Sequence, residues 1–102
     1  MEKVYAGKTI SVDKEGYLTD LSQWNKEIAI EMAKEEDIVL TDKHFEVLAY
    51  LQNQHKNEQA LSIRTIGKSG VVDIKQFYEL FPKGPLKISS RIAGIPKPKS
   101  CI

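Results

Sequence analysis

Apolar and polar positions change period along the chain. In the first twenty residues, short β-prone runs are split by glycine: Val4 and Tyr5 before Gly7, then Thr9 to Val12, then Gly16 and Tyr17. This predicts a small hairpin. A lone hairpin is marginal in water, so it must pack on something. From Ser22 the period becomes helical. Asn25 to Glu36 reads as a helix, with Ile28, Met32 and Ala33 on one face and Leu21 and Trp24 closing its start. Glu35, Glu36 and Asp37 oppose the helix dipole at its end, so the last turn is expected to fray. Thr41 or Asp42 caps a second helix to about His55, with Val47, Leu48 and Leu51 as its stripe and Phe45 beside it. Leu61 to Ile66 suits either helix or strand. A short helix is favoured, because Leu61, Ile63 and Ile66 then all face a helical core. Asp73 caps a helix to about Phe81, with Ile74, Phe77, Tyr78 and Phe81 at i, i+3, i+4 and i+7, and Pro82 stops it.

After Gly84-Pro85 a short helical piece is expected over Leu86 to Ile92. Beyond Ala93, the residues Gly94, Pro96 and Pro98 forbid regular helix. Pro96-Lys97-Pro98 is expected to be extended, polyproline-like and solvated. No internal repeat or second domain is visible. The pattern predicts one α+β, mostly α domain over 1–102, with a body to about residue 84 and a mobile C-terminal arm over about 85–102.

Length and composition narrow the class. A chain of 102 residues suits one modest core. No apolar run reaches membrane-spanning length, and Met1 to Lys8 lacks the order of a signal peptide. With a single cysteine, no internal disulfide is possible. A soluble, cytoplasmic protein with a reduced thiol is expected. The net charge of +1 hides an asymmetry: all 14 acids lie at or before Glu79, whereas Pro82 to Ile102 carries Lys83, Lys87, Arg91, Lys97 and Lys99. A body and an arm with different jobs would show such a division.

Most candidate sites fail on spacing. Gly67-Lys68-Ser69 lacks the upstream glycine of a phosphate loop, since Ser62 stands there. His44 and His55 are about 16 Å apart along one helix, too far for a shared metal. They read as cap, packing or surface residues, and no metal site is expected. The helices carry many acids and no basic recognition face, which argues against direct nucleic-acid binding as the main function. Cys101 is different. It follows two prolines, two lysines and a serine, where burial is not expected. From Gly94 to Cys101 an extended chain spans at most roughly 25 Å. A tip that narrow can reach into a partner's active site, and its prolines reduce the entropy lost on docking. The lysines favour the thiolate, whereas the adjacent terminal carboxylate opposes it. Lys87, Arg91, Lys97 and Lys99 are expected to guide docking more than chemistry.

The run Leu80-Phe81-Pro82-Lys83-Gly84-Pro85, then Lys87, then Ile92-Ala93-Gly94-Ile95-Pro96-Lys97-Pro98, then Cys101-Ile102, resembles the DsrC/TusE sulfur-carrier family. Gly16-Tyr17-Leu18, Ser22-Gln23-Trp24 and His44-Phe45-Glu46-Val47 look like family positions too. The resemblance covers almost the whole chain. It implies a small orthogonal helical bundle with an N-terminal β-hairpin and a flexible C-terminal arm. It also implies that Cys101 accepts sulfane sulfur as a persulfide and relays it, with no metal or organic cofactor beyond that transient group. Family members that serve dissimilatory sulfite reductase as its gamma subunit carry a second cysteine at the position of Ser90 here. The single-cysteine pattern is similar to the TusE type. That implies a TusBCD-like persulfide donor, an MnmA-like tRNA thiolase as acceptor, wobble-uridine 2-thiolation as the pathway and at most an indirect association with tRNA. The other readings are the reductase partner and a regulatory nucleic-acid-binding homologue.

Overall fold

The computed structural model describes residues 1–98. Two strands, β1 (Glu2–Tyr5) and β2 (Lys8–Ser11), pair antiparallel with Glu2 opposite Ser11 and Tyr5 opposite Lys8. Ala6 and Gly7 join them at φ 52° and 76°. Both central residues of this turn are left-handed, the twist that two-residue hairpins favour. Alanine is held there because the Glu31 carboxylate accepts from the Ala6 N–H. Glu31 lies on α1 (Lys26–Glu35), so the same bond docks the hairpin on the helices. Tyr5 and Ile10 bury beneath it.

Four further helices follow: α2 (Asp42–Lys56), α3 (Ile63–Gly67), α4 (Ile74–Leu80) and α5 (Pro85–Ala93). The hairpin and all five helices match the α+β, mostly α expectation. Asn25, Thr41, Ser62 and Asp73 each accept a backbone N–H in the first turn of the helix they precede. His44 closes the cap of α2. Its Nδ1 accepts from the Thr41 N–H, which leaves Nε2–H to donate to the Leu80 carbonyl at 3.0 Å. The imidazole thus links α2 to the end of α4, edge-on to Phe81. Gly67 closes α3 rather than opening a phosphate-binding helix. A Cβ there would collide with Ile74 Cγ1, so glycine is what lets α3 meet α4. Among the described residues no helix is long and apolar enough to cross a membrane.

Three expectations need correction. First, Ile74 and Tyr78 are 46% and 42% exposed, whereas Phe77 and Phe81 are buried. A seven-residue helix against one neighbouring face buries a narrow stripe, not four positions. Second, the end of α1 is not left to fray. Arg91 takes Glu35 and Glu36, and Ile38 N–H bonds back to the Ala33 carbonyl past a left-handed Asp37. Third, the chain does not leave the body near residue 85. α5 is part of the core: Leu86, Ile92 and Ala93 are fully buried and Ile95 is 1% exposed. Pro85 starts the helix at a position where the missing N–H costs nothing. The apolar residues after it then pack on α1, α2 and α4.

Candidate functional site

The structure gives a detailed account of the base on which the Cys101 segment stands. The residues Lys99 and Cys101 themselves lie outside the described residues. α5 ends at Gly94, which is left-handed at φ 77°. Ile95 N–H reaches back to the Ser90 carbonyl at 3.2 Å, Gly94 N–H reaches Arg91 O at 3.1 Å, and Ile95 buries its side chain. This is a Schellman closure with its usual apolar contact. The next two carbonyls are taken from elsewhere. Trp24 Nε1 donates to Ile92 O at 2.8 Å, and Gln52 Nε2 donates to Ala93 O at 2.8 Å. Beyond Ile95, Pro96 is exposed while Lys97 and Pro98 are half-buried. The expected solvated proline run instead lies along a groove of about 390 Å³ shared with His55, Glu58, Gln59, Ala60 and Leu61.

The basic residues separate into different environments. Arg91 does not point outward: its side chain is 13% exposed. Its guanidinium pairs with Glu35, reaches Glu36 at 3.4 Å and donates to the Tyr5 hydroxyl at 3.0 Å. Tyr5 in turn donates to Glu35 at 2.8 Å, and Lys3 stands 3.7 Å from the same carboxylate. Burial acts to raise the Glu35 carboxyl. The hydrogen bonds from Arg91 and Tyr5 and the charges of Arg91 and Lys3 outweigh it, holding the group below the ordinary carboxylate value. Lys97 pairs with Glu15 at 3.0 Å. Lys87 is exposed on α5. With Arg91, Glu15, Tyr17 and Lys83 it lines a shallow hollow of about 280 Å³. Lys87, Arg91 and the partner of Lys97 therefore meet on one face. Among the described residues no group of three His, Cys, Asp or Glu is placed to hold a metal ion.

Ser90 is fully buried on α5, and its Oγ is the one buried side-chain oxygen or nitrogen among the described residues without a hydrogen-bond partner. Sequence reasoning missed the anchoring roles of Trp24, Gln52, Tyr5 and Glu35. Gln52 did leave a trace, since it falls four residues after Leu48 on the edge of an otherwise apolar stripe.

The chain matches the model of the family described as DsrC like protein over residues 4–102. The chain belongs to the DsrC-like family. It is 37% identical over 107 residues to the sulfurtransferase TusE of Photorhabdus laumondii, covering 97% of this chain and 96% of that one. It is 36% identical to the sulfurtransferase TusE of Escherichia coli, covering 97% and 98%. The fold superposes on Allochromatium vinosum DsrC with a TM-score of 0.84 at 33% identity, covering both chains fully. The oxidised gamma-subunit of the dissimilatory sulfite reductase (DsrC) of Archaeoglobus fulgidus gives 0.82 at 32% identity, again over both full lengths. The DsrC-like fold is thus this chain's own, hairpin and helices together. The family match runs through the segment that holds Cys101.

Proposed function

We propose that this protein is a sulfur carrier that holds sulfane sulfur as a persulfide on Cys101 and hands it to a partner. The observation that carries this reading is the near-complete match to sulfurtransferases named TusE, combined with a single cysteine in the chain. The chemistry balances without a cofactor. The Cys101 thiolate attacks the outer sulfur of a donor persulfide, the donor S–S bond breaks, and the donor thiolate leaves. An acceptor thiolate then attacks the outer sulfur on Cys101 in the same way, restoring the Cys101 thiolate. The protein acts only with partners: a TusBCD-like donor and an MnmA-like tRNA thiolase, in the cytoplasm, with 2-thiolation of the tRNA wobble uridine as the outcome.

Likeness to DsrC supports a second reading, a partner of dissimilatory sulfite reductase. Ser90 weighs against it, because a role using two sulfurs needs a thiol there and serine supplies none. Mass spectrometry after incubation with a cysteine desulfurase, cysteine and a TusBCD-like complex tests the carrier reading. A gain of about 32 Da on wild type and none on Cys101→Ser is expected for one sulfane sulfur. A wild-type protein that takes up no sulfur from any persulfide donor refutes it. Co-elution with the reductase instead would favour the second reading.

A further inference from the structure

The end of α5 is braced far more heavily than helix closure alone demands. A helix leaves its last four carbonyls without intrahelical partners, and water commonly serves them. Here all four are held. Ser90 O and Arg91 O are taken by the Schellman turn, Ile92 O by the Trp24 indole and Ala93 O by the Gln52 amide. The two side-chain donors come from separate elements, 68 and 41 residues away in sequence. One precedes α1 and the other rides on α2, so they grip consecutive carbonyls of the same turn. Gly94 completes the grip: a Cβ there would lie 2.7 Å from Trp24 Cδ1, and its φ of 77° disfavours any side chain. The chain turns away from the helix at this point.

We propose that Trp24, Gln52 and Gly94 form a clamp that fixes the direction in which the Cys101 segment leaves the core, making them positioning residues for sulfur transfer between proteins. This rests on the carrier reading for its purpose but not for its geometry. Gly94 stands seven positions before Cys101, so the path the clamp gives the chain from Ile95 to Pro98 is the one on which the Cys101 segment begins. A wrong launch direction lowers the fraction of encounters in which Cys101 meets a partner's sulfur. Reaction with a small freely diffusing donor needs no such direction.

The test uses Gln52→Met, which keeps length but removes the donor, and Gln52→Lys, which restores a donor near the negative end of α5. Trp24→Phe removes the indole N–H. With a nitroxide on the single native cysteine and a second on Lys34→Cys, pulsed dipolar spectroscopy reads the distance distribution. Gln52→Met and Trp24→Phe are expected to broaden it, and Gln52→Lys to keep it near wild type. The loss of one hydrogen bond is expected to cut kcat/KM for transfer to the partner protein about five- to tenfold. Loading by inorganic polysulfide, and its rate on unlabelled protein, should stay within about twofold of wild type, since proximity to a protein partner plays no part there. Thermal melts establish which variants are folded; Gln52 is only half-buried, so Gln52→Met carries the test if Trp24→Phe does not fold. Distance distributions that superimpose on wild type overturn the clamp whatever the transfer rates do. Broadened distributions in the folded variants, alongside a wild type that takes up no sulfur, would leave the clamp standing and remove the carrier reading.

Discussion

Replacing Glu35 by glutamine should weaken the protein in a pH-dependent way. The amide would keep the shape and a neutral acceptor for Tyr5 and Arg91, but not the charge. Arg91 is 13% exposed, Glu35 is 42% exposed and Glu36, at 3.4 Å, remains as a second partner. Charge-assisted hydrogen bonds are worth about 1.5–3 kcal/mol, roughly twice their neutral equivalents. With the carboxylate this open to solvent, screening reduces the difference to about 1 kcal/mol. For a domain of this size that is a fall in Tm of about 4–8 °C. The sign with pH follows from the lowered Glu35 value. An acid whose folded pKa lies below its unfolded one contributes stability above the unfolded value and loses it as pH falls through the folded one. The ordinary value is 4.5. The gap between wild type and Glu35→Gln, measured by denaturant unfolding at constant ionic strength, should therefore be full above about pH 5.5 and close on acidification below about pH 4.5. A gap that stays constant from neutral to acid pH would refute the claim that Arg91 and Tyr5 act on an ionised Glu35.

Ser90→Ala should stabilise the fold by about 1 kcal/mol, because it deletes a buried hydroxyl that has no partner and leaves only a small void; a loss of stability in urea melts would mean that the hydroxyl is satisfied in solution. Gly67→Ala should cost about 1–2 kcal/mol despite alanine's better helix propensity, since its Cβ meets Ile74. The double variant with Ile74→Ala should recover most of that loss, and strict additivity in the cycle would contradict the contact. Lys87→Glu should slow sulfur transfer several-fold at low salt and little at high salt, as expected for a steering charge on an exposed side chain; equal slowing at both ionic strengths would count against it. Arg91→Glu should act differently, by lowering Tm, because Arg91 faces inward.

Most of the helices could be read from local chemistry. Asn25, Thr41, Ser62 and Asp73 cap helices through bonds to their own first turns, and such bonds depend on residues three apart. Hydrophobic period located α1 and α2 for the same reason. The errors came where a partner far along the chain decides the outcome. Glu35, Glu36 and Asp37 look destabilising in isolation, and only the third dimension brings Arg91 to two of them, with Lys83 3.7 Å from the third. Charge along the sequence groups Arg91 with a basic arm, because it says nothing of which way a helix turns the side chain. The sequence pattern places the start of the arm too early, at Gly84-Pro85, since this pair reads as a break but serves as a helix start.

Moving that boundary changes what the segment is. If the arm began at residue 85, Cys101 would end a long tether and its position would be diffuse. The described chain instead stays in the core through Ile95, so only the stretch from Pro96 onward separates the last buried residue from the thiol. A tether's effective concentration at its target is highest when its length matches the span and falls as it lengthens. Counted along the sequence, about six residues rather than about seventeen then lie between the last core residue and Cys101. On the carrier reading proposed above, α5 belongs to the body that presents this segment, because its core contacts and the bonds from Trp24 and Gln52 hold the chain through Ile95.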